Sequence, residues 1–217
     1  MNKNKVLSGA FGWLFIGLLV CFITSFLTSI NETVFTMVYG SLGGFSYIIF
    51  TILELALAIY LSVRIFKMNP LTAKIVYLLY TMLSGLTLTG LLMIYTASSV
   101  CYVFLATALV FGSFAIIGRY TKTDLSSWIT YLFIALIAIL VLEIINIFLM
   151  NNTLNMILGI VGVLLFCAYT AYDVQKAYKL SSMETPENTS IYCAFRLFLD
   201  FINIFIDLLR LFGRSRD

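Results

Sequence analysis

Seven apolar runs, each near twenty residues, divide this chain, and they dominate what it can fold into. A spanning helix needs about 20 predominantly apolar residues. The runs fall at roughly 7–30, 44–66, 71–95, 99–119, 127–149, 154–176 and 192–211. Of the 217 residues, 62% are hydrophobic and 11% are charged. A sphere of this size cannot hide so much apolar surface from water. The expected fold is therefore an all-α polytopic membrane protein of seven transmembrane helices, one integral membrane domain over 1–217.

The breaks carry suitable punctuation. Asn31-Glu32-Thr33 ends the first run, and Lys67-Met68-Asn69-Pro70 divides the second from the third, with Pro70 placed to begin a helix. Asp124 is a candidate N-cap for the fifth. Asn151-Asn152 divides the fifth from the sixth, and Ser181 to Ser190 is the one long polar loop. The break near Tyr95 to Ser99 is the weakest, and residues 34–43 read either as an earlier start of the second span or as an interfacial lead-in. The first run is too long for a secretory signal and is read as a retained span.

Basic residues orient the spans. With the N-terminus cytoplasmic, the inner side receives Lys3, Lys5, Arg64, Lys67, Lys74, Arg119, Lys122, Lys176, Lys179 and Arg196, and the outer side only Arg210, Arg214 and Arg216. Three arginines outside dissent from the rule. Either the tail is an exception, or the last segment is re-entrant and returns inward.

Histidine is absent, which excludes a Ser-His-Asp triad, a His-ligated zinc and an H-E-x-x-H helix. Cys21, Cys101, Cys167 and Cys193 lie in or beside apolar runs without a C-x-x-C spacing and read as packed thiols. The net charge of +3 gives no sign of nucleic-acid binding. No enzyme, resident cofactor or high-affinity metal site is expected, and the bilayer is the standing partner.

Charges inside the membrane are the first functional candidates. On the last span Arg196, Asp200, Asn203, Asp207 and Arg210 recur at steps of three and four, a single helical face. That polar stripe cannot face lipid, so the last helix is expected at the centre of the bundle. Charge pairing within the helix, Arg196 with Asp200 and Asp207 with Arg210, is the structural alternative. Asp173 near the inner end of the sixth span and Asp200 two turns into the seventh come to similar depth if the two helices are antiparallel neighbours. Two carboxylates in a low-dielectric site cannot both ionise cheaply, so the pair can hold one proton and sense pH without histidine. Arg64 lies at a depth to bridge to them, or else snorkels to headgroups. Glu54 falls near mid-membrane as a cation way-station or as a hydrogen-bonded acid. Glu143 lies nearer a helix end. An intramembrane aspartic protease is disfavoured, because Leu197-Phe198-Leu199 stands where G-x-G precedes the second aspartate in such enzymes.

Phe111-Gly112-Ser113-Phe114-Ala115 with Tyr120-Thr121-Lys122-Thr123-Asp124-Leu125-Ser126 resembles the loop motif of the Bax inhibitor family, whose bacterial members are the YccA-like proteins. Gly85-Leu86-Thr87-Leu88-Thr89, Tyr169-Thr170-Ala171-Tyr172-Asp173-Val174-Gln175 and Leu199-Asp200-Phe201-Ile202-Asn203-Ile204-Phe205 resemble its third-span, sixth-span and C-terminal motifs. The resemblance implies seven helices with the last central, a bacterial cell (inner) membrane location, and a pH-sensitive calcium leak. It places the family's paired aspartates, the pH sensor, on Asp173 and Asp200, its latch arginine on Arg64 and its second-span acid on Glu54. Asn203 and Asp207 extend the expected ion pathway. Arg196 and Asp207 depart from the motif positions. The resemblance also implies an alternative, a non-transporting modulator of a membrane protease of the FtsH type. Sparse carboxylates suit transient Ca²⁺ coordination, since a tight Ca²⁺ cage takes six to eight oxygens.

Overall fold

The computed structural model describes residues 4–40, 45–180 and 186–216. Lys3, part of the 34–43 lead-in and half of the polar loop expected at 181–190 lie outside the described residues. The described chain is helical: α1 (Asn4–Ile30), α2 (Glu32–Phe35) running into a π-turn (Thr36–Gly40), α3 (Phe45–Arg64), α4 (Pro70–Ile94), α5 (Ala97–Tyr120), α6 (Ile129–Leu149), α7 (Asn152–Lys179) and α8 (Pro186–Phe212). Six segments are long and apolar enough to cross a membrane: Lys5–Ile30, Phe45–Lys67, Pro70–Ile94, Ala97–Tyr120, Leu125–Leu149 and Asn152–Lys179. They present large apolar side chains outward, Leu109 at 74% and Phe148 at 82% exposure among them. Water would not tolerate such a surface; lipid requires it.

The breaks follow local chemistry. Pro70 opens α4 behind Asn69, whose side chain accepts from the Leu71 N–H at 2.9 Å. Asp124 accepts from the Ser126 N–H at 2.9 Å and caps a 3-10 turn (Leu125–Trp128) that leads into α6. Met150 takes a left-handed conformation (φ 50°) to end α6. Asn31 caps α2, so the chain begins a new short element after the first span. Of the four cysteines, Cys21, Cys167 and Cys193 are buried, whereas Cys101 is exposed on α5 and is not a packed thiol.

The residues group into two compact units, 1–95 with 180–198 and 216–217, and 96–179 with 199–215. In the first unit α1 and α4 approach closely: a Cβ on Gly85 would strike the Cys21 carbonyl, and one on Gly17 the Tyr77 hydroxyl. Tyr77 donates to the Trp13 carbonyl at 2.9 Å. Small residues give membrane helices this contact, because lipid offers no hydrophobic drive between them. The first half of α8 belongs here. It begins within the loop expected at 181–190, before the expected start at 192, because its polar residues find partners: Asn188 Nδ2 donates to the Ile65 and Met68 carbonyls at 2.9 and 2.8 Å. Tyr80 sets its ring edge-on to Phe195 and Phe198.

In the second unit Gly118 on α5 lies against the backbone of Ala171 on α7. Leu132 and Ile139 of α6 pack on Leu158, Leu165, Tyr169 and Tyr172 of α7. Phe201 of α8 meets Phe104 at a tilt and Phe205 meets it edge-on. At 27 residues α8 is about 40 Å long. Its first turns meet the α3–α4 turn, and beyond its end the Arg216 N–H donates to the Ile94 carbonyl at the far end of α4, 2.8 Å away.

Candidate functional site

The membrane-embedded charges fall into three groups. The first is on α7 and α8. Gly162 leaves room for the Asp207 carboxylate, and Gly159 for Leu211. Rising numbers on α7 meet falling numbers on α8, so the helices are antiparallel and these residues mark their contact. Asp173 lies three turns beyond Gly162, within about 20° of the same face. Asp200 lies two turns before Asp207, again within about 20°. Both aspartates therefore face the α7–α8 contact, offset by roughly 6 Å along it. Both are buried, at 4% and 3% exposure. Oδ1 of Asp173 and Oδ2 of Asp200 accept no hydrogen bond among the described residues, while each residue makes other interactions. The Cys167 thiol of α7 lies within electrostatic range of Asp200.

The loop motif and the sixth-span motif meet at the end of α7. Gln175 donates through Nε2 to the Thr123 carbonyl (2.8 Å) and accepts from the Leu125 N–H (2.9 Å). Arg119 lies 3.8 Å above the Tyr178 ring. This clip fixes the turn of α7 that carries Asp173. Lys179 completes it with a hydrogen bond to Asp124 at 2.5 Å, and that ammonium holds the Asp124 carboxyl down to about 2. The folded-state value is depressed, so the contact supports folding fully above the usual carboxylate range near 4 and loses its effect as pH falls toward 2. Lys179→Gln is expected to move the Asp124 titration back toward about 4 in carboxyl NMR; an unmoved titration contradicts the assignment.

The second group is a clamp between α6 and α8. Arg210 donates to Glu143 Oε1 at 2.6 Å and lies 3.6 Å from Asp207 Oδ1. Pairing along the stripe thus occurs for Asp207, but the shorter bond goes to another helix. A cavity of about 300 Å³ lined by Glu143, Asn146, Asn155 and Arg210 adjoins it. Glu143 was signalled in the sequence only as the sole acid of α6. Asn203 donates to its own helix at the Leu199 carbonyl, 2.7 Å away. Arg196 is half-buried.

The third group is in the first unit. Glu54 of α3 accepts from Ser84 Oγ at 2.5 Å and Thr87 Oγ1 at 2.7 Å, both on α4. Glu54 is thus tied to α4 by two hydroxyl hydrogen bonds. Beside it Tyr39 donates to the Leu86 carbonyl and accepts from the Gly90 N–H, each at 2.6 Å. Arg64 closes α3 and is exposed. Among the described residues no three cysteine or acidic side chains gather as a metal cage.

An all-helical membrane protein with acids buried in its spans is the class this fold defines. The family model described as inhibitor of apoptosis-promoting Bax1 matches residues 3–217, and the chain belongs to this Bax inhibitor family. It is 34% identical over 220 residues to an uncharacterized protein of Borreliella burgdorferi, covering 99% of this chain and 94% of that one. It is also 34% identical over 212 residues to the inner membrane protein YbhL of Escherichia coli, covering 95% and 90%. With an uncharacterized membrane protein of Streptococcus pyogenes it shares 34% over 167 residues, 76% and 72% of the two chains.

Proposed function

We propose that this chain is a non-enzymatic, pH-sensitive calcium (cation) leak channel of the bacterial cell membrane, with its N-terminus cytoplasmic. Asp173 and Asp200 are its proton sensor and Arg64 its latch. The observation that supports the reading is the burial of both aspartates on the two helix faces that Gly162 and Asp207 bring together. Two carboxylates buried on facing helix surfaces repel each other when both are ionised. Sharing one proton relieves that repulsion. Losing the proton restores it and draws in a cation, either the Arg64 guanidinium or a passing Ca²⁺. Glu54, with its two hydroxyl partners, Asn203 and Asp207 add weak oxygen sites along the spans. Their oxygens are too few for tight Ca²⁺ binding, which conduction would not want. No resident cofactor or nucleic acid enters the scheme.

The test is Ca²⁺ entry into dye-loaded liposomes that hold only the purified protein. A leak above protein-free liposomes is expected. Absence of flux at every pH from a folded preparation, with co-purification of an FtsH-type protease from native membranes, would replace the channel by the protease-modulator reading.

A further inference from the structure

Past α8 the chain is strapped across the start of α5. The Arg214 carbonyl accepts from the Thr96 N–H at 2.9 Å, and the Arg214 N–H donates to Ser99 Oγ at 2.9 Å. Both main-chain groups of Arg214 are thereby fixed, and its side chain is left to line a cavity of about 430 Å³. The wall changes character with depth. Ser98, Phe212 and Arg214 line it at the helix ends, Tyr102, Val103 and Leu208 about one turn further in, and Ala106 about two turns in. Tyr102 is 74% exposed, as suits an aromatic ring at a membrane interface. Among the described residues Arg214 brings the only formal charge to this wall, and none of the ion pairs among them involves it.

We propose that this cavity binds an anionic phospholipid. The phosphate sits on the Arg214 guanidinium and the Ser98 and Tyr102 hydroxyls, and the first acyl methylenes lie along Val103, Ala106 and Leu208. The chemistry selects this occupant twice. A free anion would leave the apolar half of the wall without a partner. A zwitterionic headgroup would bring an ammonium to a wall whose described lining holds no carboxylate to receive it. Guanidinium and phosphate pair through charge-assisted hydrogen bonds, with the strap already holding the arginine in place. Burial of the first acyl methylenes adds an apolar contribution to that pairing.

The experiment is native mass spectrometry of the delipidated full chain titrated with equal phosphatidylglycerol and phosphatidylcholine. Wild type is expected to retain phosphatidylglycerol preferentially. Arg214→Gln, which keeps both main-chain bonds, should retain it roughly tenfold less. Arg216→Gln, outside the cavity, should match wild type. Ala106→Trp, which fills the apolar wall and leaves Arg214 intact, should also lose the lipid. Unchanged retention by Arg214→Gln would overturn the proposal. So would competition by glycerol phosphate at the concentration at which short-chain phosphatidylglycerol competes, because the apolar wall would then contribute nothing.

Discussion

Gly118→Ala is expected to lower stability by roughly 2 kcal/mol, while Gly112→Ala, on the same helix, leaves it unchanged or raises it by up to about 1 kcal/mol. A Cβ at Gly118 would enter the backbone of Ala171, which cannot rotate away as a side chain could; at Gly112 the same atom meets nothing within 4 Å. Overpacking of this kind costs about 1–3 kcal/mol and occasionally more. The roughly 1 kcal/mol that alanine gains over glycine inside a helix offsets part of it at Gly118 and none is needed at Gly112. Leucine at position 118 should prevent a folded preparation altogether. Thermal unfolding in one detergent, variant beside variant, measures the contrast. Equal melting temperatures for the two alanine variants would mean that α5 and α7 do not meet at Gly118.

Arg210→Gln is the second large effect, at roughly 3 kcal/mol of lost stability. The guanidinium serves Glu143 at 2.6 Å and Asp207 at 3.6 Å, so its loss strands two carboxylates among apolar helices. Breaking a half-buried pair costs more than the pair itself contributes, because the survivor keeps its desolvation penalty. Glu143→Gln should therefore cost less than Arg210→Gln, since Arg210 retains Asp207. Neutralising all three positions, Glu143→Gln with Asp207→Asn and Arg210→Gln, should recover most of the loss. A triple variant no better than Arg210→Gln would show that the charges are not what binds α6 to α8.

Much of the fold was legible because its signals are local. Runs of apolar residues, a proline behind an asparagine at Pro70, and Asn151 between two spans each act over a few residues. The weak break near Tyr95 was legible for the same reason, and the strap from Arg214 now explains why so little local punctuation suffices there. On the polar stripe of α8, Asp200 and Asp207 are buried at 3% and 6% exposure. What escaped depends on partners far along the chain. The early start of α8 rests on Asn188 reaching the Ile65 and Met68 carbonyls. No pattern within residues 181–190 announces that. Glu54 has its hydroxyl partners on α4, and Arg210 has its shorter bond on α6, each a pairing that periodicity along one helix cannot reveal. Cys101 looked like its buried counterparts because an apolar neighbourhood in a membrane helix is as often lipid as protein.

The central claim is that Asp173 and Asp200 together set the response to pH. Its most direct test is Ca²⁺ flux into liposomes from about pH 6 to 8, with wild type beside Asp173→Asn and Asp200→Asn. Wild-type flux should change across that range, and either substitution should flatten the profile while the protein remains folded. Asparagine keeps the shape of the side chain and removes only the proton and the charge. If both variants reproduce the wild-type profile, the aspartates hold α7 to α8 and sense nothing.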